Sequence, residues 1–363
     1  MGCRRPHLFD VTVSIRVMTA GQGVRYLFSS IIAGDGDRDA TTALTRYYVE
    51  QGTPPGRWMG RGLTGLTVTS SSPVTEEQLR RLLGHGQDPM TGEPLGRPYR
   101  TFAPATDRVA RRLAALPGDL TGADHTRQVA WINAEEAAKA IRVPVAGFDL
   151  TFSAPKSLSS LWAVADGGTQ ALIAQAHHAA IDDVLDLMER EVAMTRVGAE
   201  GMRGAVAQVQ VRGVVAAAFD HYDSRAADPQ LHTHVVVANR VQAVRDGRWR
   251  TLDSRALHGA VAGLSEHYNA VLSDHVARLL GVGWQARTRG PGRITRWEIT
   301  GVPQELMDEF SVRTHDLEQA KDRLVSDYVA RHGRAPSRAV LWRIRQQATL
   351  ATRPPKETHS LAE

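Results

Sequence analysis

Two short stretches of this chain alternate apolar and polar residues, which is the pattern of a strand with one buried face. The first covers residues 11–17, with valine or isoleucine at each odd position and threonine, serine or arginine between them. The second covers residues 148–152 and places Asp149 and Thr151 on its polar face. Since side chains of a strand point to alternate faces, both stretches predict strands packed against a core.

Helical periodicity accounts for much of the remaining chain. Apolar residues recur every three to four positions over 169–195, and we expect His177 and His178 on the polar side of this helix. Thr75 and Gln78 have the spacing of a capping box and predict a helix start. Further helices are predicted at 24–33, 39–50, 107–116, 133–141 and 258–280, followed by a helical tail from 303.

Two apolar runs flank a loop and predict an antiparallel hairpin. The runs cover residues 209–219 and 231–237, and the connection between them is rich in turn residues. Its centre is equidistant from His221 and His232, so the hairpin would bring these two residues opposite each other. His234 lies two positions beyond His232 and projects from the same face.

Three imidazoles that converge on one face predict an open metal site. Imidazole nitrogen is a common ligand of divalent cations, and no fourth protein ligand is evident nearby. A lone pair of histidines two positions apart is more often an ordinary surface feature. The third histidine, at the mirrored position on the preceding strand, favours the metal interpretation.

The predicted strands and helices interleave without regular strand–helix–strand alternation. This order favours an α+β fold, with helices packed on one face of a sheet. The chain has no GxGxxG motif after a strand and no GxxxxGK[ST] motif, so no nucleotide-hydrolysing site is evident. No apolar run approaches the length of a membrane span. Cys3 is the only cysteine, which excludes disulfides and cysteine metal sites and fits a reducing cytoplasm.

The charge of the chain makes a nucleic-acid partner plausible. The formal net charge is +5, and 40 of the 44 basic residues are arginine, because lysine occurs four times. Arginine suits bidentate contacts with phosphate and stacking on bases. A GC-rich genome would produce the same bias, so composition alone does not establish the partner.

Four blocks of the sequence resemble the MobF-type conjugative relaxases. The two most specific are GFDLTFSAPKS at 147–157 and the histidine block at 221–234, which contains PQLHTH. A third runs from Ser14 through the tyrosines to GRWMGRG at 56–62, and a fourth covers 249–254. Together they span residues 11 to about 310, which is most of the chain.

The resemblance implies a fold and a mechanism. Such relaxases have a five-stranded antiparallel sheet of the HUH-endonuclease type, with helices on one face and a helical lid over single-stranded DNA. A divalent metal polarises the scissile phosphate, and a tyrosine attacks it to leave a 5′-phosphotyrosyl DNA and a 3′-hydroxyl. By motif, Tyr26 is the expected nucleophile, and one Mg, Mn or Zn ion is expected on His221, His232 and His234. Asp149 matches the acidic residue that orients a histidine or assists the tyrosine.

The tyrosines depart from the family pattern in one respect. Relatives often carry two tyrosine pairs, but here Tyr26 is followed by Leu27. Tyr47 and Tyr48 come after a longer connection and are candidates for a second transesterification. The resemblance also implies that the first strand lies beside the histidine strands, near Tyr26. Contacts with DNA are expected from basic residues in or near the matching blocks, namely Arg25, Arg57, Arg61, Lys156 and Arg225.

The same resemblance implies the partners and the domain organisation. The partners are single-stranded and hairpin DNA at an origin of transfer, a helicase domain or protein, a coupling protein and a type IV secretion system. Such an enzyme is cytoplasmic, is not inserted in a membrane, and is delivered to a recipient cell with the DNA. We expect a relaxase domain over 11–310 and a helical, linker-like tail over 311–363. Residues 1–10 lack periodicity and are expected to be a disordered or misannotated extension that nicking does not require.

Two other functions remain open on the sequence alone. A catalytically silent module that binds an origin hairpin would need neither Tyr26 nor the three histidines. A metallohydrolase would use a metal-bound water, and its tyrosines would be core residues. A covalent protein–DNA adduct would distinguish a relaxase from both.

Overall fold

The computed structural model describes residues 12–20, 27, 56–70, 72–100, 102–139, 143–198, 206–224, 226, 228–288 and 295–352. The predicted helix at 39–50 lies outside these residues, as does all of the predicted helix at 24–33 except Leu27. Residues 1–10 and the end of the tail are outside them too. Within the described residues, no helix is both long enough and apolar enough to cross a membrane.

Strands and helices are numbered in chain order. The strands are β1 (Val13–Thr19), β2 (Arg57–Met59), β3 (Val145–Ser153), β4 (Met194–Gly198), β5 (Val206–Gln210), β6 (Ala216–Asp223), β7 (Pro229–Ala238), β8 (Val241–Gln242), β9 (Trp249–Arg250), β10 (Trp284–Thr288) and β11 (Thr295–Ile299). The helices are α1 (Glu76–Leu79), α2 (Ala105–Ala114), α3 (Gly122–Ala138), α4 (Lys156–Val164), α5 (Gly167–Glu191), α6 (Ser254–Leu280), α7 (Gln304–Glu309), α8 (Val312–His332) and α9 (Arg338–Ala351).

An antiparallel sheet forms the centre of the fold. In the described part of the chain it has five strands in the order β1-β3-β7-β6-β2, which confirms the predicted α+β architecture. Strand β3 lies between β1 and β7, so the expectation that the first strand lies directly beside the histidine strands is wrong. The reason is that β3 pairs along both of its edges, with Asp149 opposite Arg16 on β1 and opposite Val236 on β7.

One face of the sheet packs under the long helices. Phe148, Leu150 and Phe152 of β3 point to this face and share a core with Ile181 of α5 and Tyr268 of α6. Helix α6 ends at Leu280, as predicted, and Gly281 caps it at φ 66°. Strands β10 and β11 pair in an antiparallel hairpin before the helical tail.

The opposite face of the sheet carries a second apolar cluster. Leu79 at the end of α1 and Leu82 in the π-helical turn that follows it pack in this cluster with Phe219. The predicted capping box is present at the start of α1, where Thr75 and Gln78 exchange hydrogen bonds at 2.9 and 3.3 Å. The three histidines lie on this same face, beyond Phe219 along β6 and before Val236 along β7.

The apolar run 209–219 does not form one strand, and that prediction is wrong. Strand β5 pairs with β4 in a separate ribbon, and the chain turns at Gly213, at φ 132°, before β6 begins. The Val214 N–H donates to Glu189 Oε1 at 2.8 Å, and the Val214 carbonyl accepts from the Gly62 N–H at 3.0 Å. These partners are distant in sequence, so local hydrophobicity could not indicate the break.

The predicted helix at 133–141 is also wrong in its bounds, because α3 begins at Gly122 and ends at Ala138. Its buried residues are Ile132 and Glu136, so it lacks the apolar stripe that would have predicted its first half. Glu136 is instead held by ion pairs from Arg108, Arg112 and Lys139.

Candidate metal centre and active site

The hairpin of β6 and β7 brings the three histidines together. His221 pairs directly with His232 across the two strands, as their equal distance from the loop predicted, and His234 follows on the same face. The centroids of the three rings lie 4.9, 5.0 and 5.4 Å apart. One nitrogen from each ring lies within 4.8 Å of the other two, which is close enough for all three to reach one ion.

Hydrogen bonds orient two of the imidazole rings. His232 Nδ1 lies 2.8 Å from the Gln230 carbonyl oxygen, which can only accept, so Nδ1 carries the proton. His234 Nδ1 lies 2.8 Å from Asp149 Oδ1 and 3.1 Å from Thr151 Oγ1. In both rings Nε2 is then the nitrogen able to bind a metal, an arrangement typical of metal-ligating histidines.

This donor set fits a divalent cation. Three imidazoles leave coordination positions for substrate, and the carboxylate behind His234 makes that ring a better donor. The rings are shielded from solvent, with His221 4% and His232 6% exposed. Among the described residues, the side chains whose donor atoms lie close enough together to hold a metal are these three histidines.

Asp149 lies on β3, which is between β1 and the histidine strand β7 in the sheet. Its side chain is 2% exposed and lies on the polar face that the alternating sequence pattern predicted. The contact with His234 Nδ1 supports the histidine-orienting role. Arg16 of β1 is directly opposite Asp149, so the same face also carries a positive charge.

The prediction that His177 lies on the polar side of its helix is wrong. His177 is fully buried, with Nδ1 2.7 Å from the Tyr268 hydroxyl and Nε2 2.9 Å from Thr233 Oγ1. Burial lowers its pKa to about 3. His177 is four residues from both Ile173 and Ile181, which are core residues, and that spacing was the missed signal.

Three of the predicted DNA-contacting residues, Arg57, Arg61 and Lys156, are described, and each has a partner within the protein. Arg57 lies on the face away from the histidines and pairs with Asp220 at 2.6 Å. Arg61 is more than half exposed and pairs with Asp186 of α5. Lys156 donates to the carbonyls of Pro229, at 3.0 Å, and Phe310.

A cavity of about 870 Å³ opens beyond the ends of β3 and β7, and the three histidines are not among its lining residues. The ends of β3 and β7 form one side, and Ser153 at its edge pairs with His232 across these strands. Helices α6 and α8 and the β10–β11 hairpin supply the other walls. The lining includes three basic, three acidic and two tryptophan side chains, namely Lys156, Arg296, Arg313, Asp228, Glu266, Glu298, Trp284 and Trp297.

The expected tyrosines lie outside the described residues. These are Tyr26, Tyr47 and Tyr48, and the same holds for Arg25 and Arg225. The residue after Tyr26 is described: Leu27 is 0% exposed and belongs to the apolar cluster on the histidine face, with Met18 and Trp58.

Curated relatives and solved structures are similar to this chain. Two relatives are both the Multifunctional conjugation protein TraI: one from Escherichia coli, 38% identical over 185 residues, and one from Escherichia coli strain K12, 36% identical over 183 residues. Each match covers 48% of this chain and 10% of the relative, so the chain spans about a tenth of their length.

The fold matches conjugative relaxase TrwC in complex with oriT DNA, in a copper-bound structure, with a TM-score of 0.63, 24% identity, and coverage of 95% of this chain and 92% of that chain. TrwC complexed with a 27-mer DNA comprising the recognition hairpin and the cleavage site matches with a TM-score of 0.58 and 23% identity, over 95% of this chain and 91% of that one. The family model of the TrwC relaxase matches residues 20–363. Because that match covers nearly the whole sequence, the chain belongs to the TrwC relaxase family.

Proposed function

We propose that this chain nicks one strand of DNA at an origin of transfer, through a tyrosine nucleophile and a divalent cation held by His221, His232 and His234. The observation that carries the proposal is the convergence of these three side chains, with the rings of two oriented by hydrogen bonds. The TrwC relative is described in complex with oriT DNA, which supports the same class of substrate here.

Tyr26 is the nucleophile in this proposal. The match to the TrwC relaxase family model supports it, because Tyr26 lies within the matched residues 20–363. The Tyr26 oxygen would form a bond to the scissile phosphorus while the bond from phosphorus to the 3′ oxygen breaks. The products are a 5′-phosphotyrosyl DNA and, once the leaving oxygen gains a proton, a 3′-hydroxyl.

The side chains around the phosphate would have distinct roles. A divalent cation, when bound, supplies Lewis-acid polarisation of a phosphate oxygen. Asp149 holds the orientation of His234, and its second expected role is to assist removal of the Tyr26 proton. That proton must be removed because a tyrosine hydroxyl has a pKa of about 10 and is neutral at pH 7. Tyr47 and Tyr48 would serve a later strand-transfer step.

The cavity at the end of the sheet is the proposed path of the single strand. Trp297 is 62% exposed, and an exposed indole offers a stacking surface for a base. Lys156, Arg296 and Arg313 on the same walls are the proposed phosphate contacts, although three acidic side chains there leave the lining without net charge. Arg25 and Arg225 remain predicted contacts, whereas Arg57 and Arg61 already have carboxylate partners on the protein.

The wider setting of the proposal follows from the curated relatives. Their name describes a multifunctional conjugation protein, and a helicase domain or protein would unwind the strand that the relaxase has nicked. A coupling protein and a type IV secretion system would then carry the covalent adduct from the cytoplasm to a recipient cell. We further propose that 11–310 form the catalytic unit, with 311–363 as a helical extension.

The test uses a single-stranded oligonucleotide from the transfer origin of the element that encodes the protein. Denaturing gels should show a covalent adduct with the wild-type chain and none with Tyr26→Phe. Tyr328→Phe is the matched control, since Tyr328 lies in α8 beside His332 and outside the proposed site. Mass spectrometry of the trapped adduct should find the nucleotide on Tyr26; a nucleotide on Tyr47 or Tyr48 would reassign the nucleophile.

The same assay separates the other functions. Replacing His232 and His234 by Ala should abolish cleavage and leave DNA binding largely intact. Cleavage without any covalent adduct would favour a metallohydrolase. Tight binding of the hairpin without cleavage, with the metal present, would favour a silent origin-binding module.

A further inference from the structure

A buried polar network lies directly behind the metal centre, on the other face of the sheet. Thr233 is between His232 and His234 on β7, and Asp220 precedes His221 on β6, so their side chains point away from the histidine face. The two residues pair directly across the strands, and Thr233 Oγ1 donates to Asp220 Oδ1 at 2.6 Å. The link therefore joins the two strands that carry the three histidines.

Side chains of α5 and α6 extend the hydrogen bond between Thr233 and Asp220 into a longer network. The single hydroxyl hydrogen of Thr233 goes to a carboxylate, so Thr233 accepts from His177 Nε2–H of α5, 2.9 Å away. His177 Nδ1 then accepts from the Tyr268 hydroxyl of α6 at 2.7 Å. Tyr268, His177 and Thr233 are each 0% exposed, so every donor and acceptor in this chain of bonds is satisfied inside the core.

The other end of the network reaches the edge of the sheet. Asp220 Oδ2 accepts from Arg57 Nη1 of β2 at 2.6 Å and lies 3.0 Å from His178 Nε2 of α5. Oδ1 of the same carboxylate accepts from Thr233, so one side chain links β7 to β2 and to α5.

Packing alone does not require polar residues at these positions. The neighbouring inward positions are apolar, with Leu231 and Val235 on β7 and Ala218 on β6. The polar pair Asp220 and Thr233 is adjacent to the pair His221 and His232, and the register of β6 and β7 shifts directly after His221. Because the regular pairing ends at this point, a side-chain link at the last regular pairs helps to fix the distance between the two strands.

We propose that Thr233, Asp220 and His177 are positioning residues of the metal centre, which fix the distances among the three histidine nitrogens by tying β6 to β7 and to the helices behind them. The inference rests on the metal site proposed above. Loss of the network should weaken the binding of the cation and alter its coordination, although no member of the network touches it.

The decisive variant is Thr233→Val, which removes the hydroxyl and keeps a branched side chain of similar size. Thr195→Val is the matched control, because Thr195 is 1% exposed and donates to the Thr251 carbonyl at 2.7 Å, on β4 outside the central sheet. Cobalt(II) serves as the probe, with its dissociation constant measured by titration and its coordination by the visible absorption spectrum. Thermal unfolding of each metal-free variant is recorded separately.

We expect Thr233→Val to weaken cobalt binding by about tenfold, which is typical of losing a supporting hydrogen bond around a metal site, and to shift the spectrum. Thr233→Ser should restore both, and Thr195→Val should lower thermal stability and leave binding within about twofold. An unchanged affinity and spectrum in Thr233→Val would overturn the inference.

If Thr233→Val does not fold, Tyr268→Phe provides the test, because it removes one hydroxyl from the network and keeps the ring. Unchanged cobalt binding in Tyr268→Phe would also overturn the inference. Failure of the wild-type chain to bind cobalt would instead contradict the metal site itself.

Discussion

Acidification should destabilise this fold through His177. The side chain is 0% exposed, and burial lowers its pKa to about 3, whereas an unfolded histidine has a pKa of about 6.5. Between these two values the unfolded chain binds a proton that the folded chain excludes. The contribution of His177 to stability is therefore fully present above pH 6.5 and is lost progressively as the pH falls towards 3.

The size of the effect follows from the two pKa values. Lowering the pH from 7 to 5 protonates most of the unfolded histidine and almost none of the folded one, which costs about 2 kcal/mol of unfolding free energy. The first unit, from pH 7 to 6, contributes about 0.7 kcal/mol of this. These figures hold for any folded pKa well below 5, so they depend on the burial of His177 and not on the value of its pKa.

Urea denaturation of the wild-type chain and of His177→Gln at pH 7, 6 and 5 measures the effect. A chelator is present throughout, so that protonation of the metal-binding histidines does not add a change in metal occupancy. Glutamine can both donate and accept a hydrogen bond but does not titrate, so the difference in stability between the two proteins should shrink by about 2 kcal/mol from pH 7 to 5. Parallel pH profiles for the two proteins would refute the reasoning.

Three further outcomes are expected. Asp149→Asn keeps an acceptor for His234 Nδ1 but removes the charge, so zinc affinity measured by calorimetry should fall by about tenfold, and an unchanged affinity would show that the carboxylate does not support the ring. Binding of single-stranded DNA should weaken with salt, with a log–log slope of about −0.7 per phosphate contact, and a flat salt dependence would contradict the electrostatic argument. Gly60→Ala should lower the unfolding free energy in urea by more than about 1 kcal/mol, because Gly60 is at φ 96° and an added Cβ would lie 2.2 Å from the Val214 carbonyl oxygen. Gly92→Ala is the control, because Gly92 is at φ 77° and an added Cβ would have no atom within 4 Å. An equal loss of unfolding free energy in both variants would contradict the role of the close contact.

The features that the sequence predicted correctly depend on short stretches of chain. Alternation over a few residues was enough to identify β1 and β3 and to place Asp149 on a polar face. The position of His221 relative to the loop was enough to predict its pairing with His232. Side-chain direction in a strand follows from the backbone alone, so such patterns need no knowledge of distant residues.

The start of a helix also depends on residues that are close together in the sequence. The capping box of Thr75 and Gln78 spans three residues and appears as predicted. The resemblance of long motifs to relaxases added the family, which the match over residues 20–363 shows. The roles of Tyr26 and of the metal ligands remain predictions, and the experiments above address them directly.

Only the tertiary structure decided which elements meet. The sheet order placed β3 between β1 and the histidine strands, and the packing of α5 and α6 buried His177 against Thr233 and Tyr268. The spacing of His177 from Ile173 and Ile181 indicates that His177 is buried, but only packing decides that its partners are Thr233 and Tyr268. The partner of Arg57 could not be predicted from the sequence either, because Asp220 is 163 residues away in the chain. Contacts at such separations depend on how whole elements pack together, and neither composition nor local periodicity contains that information.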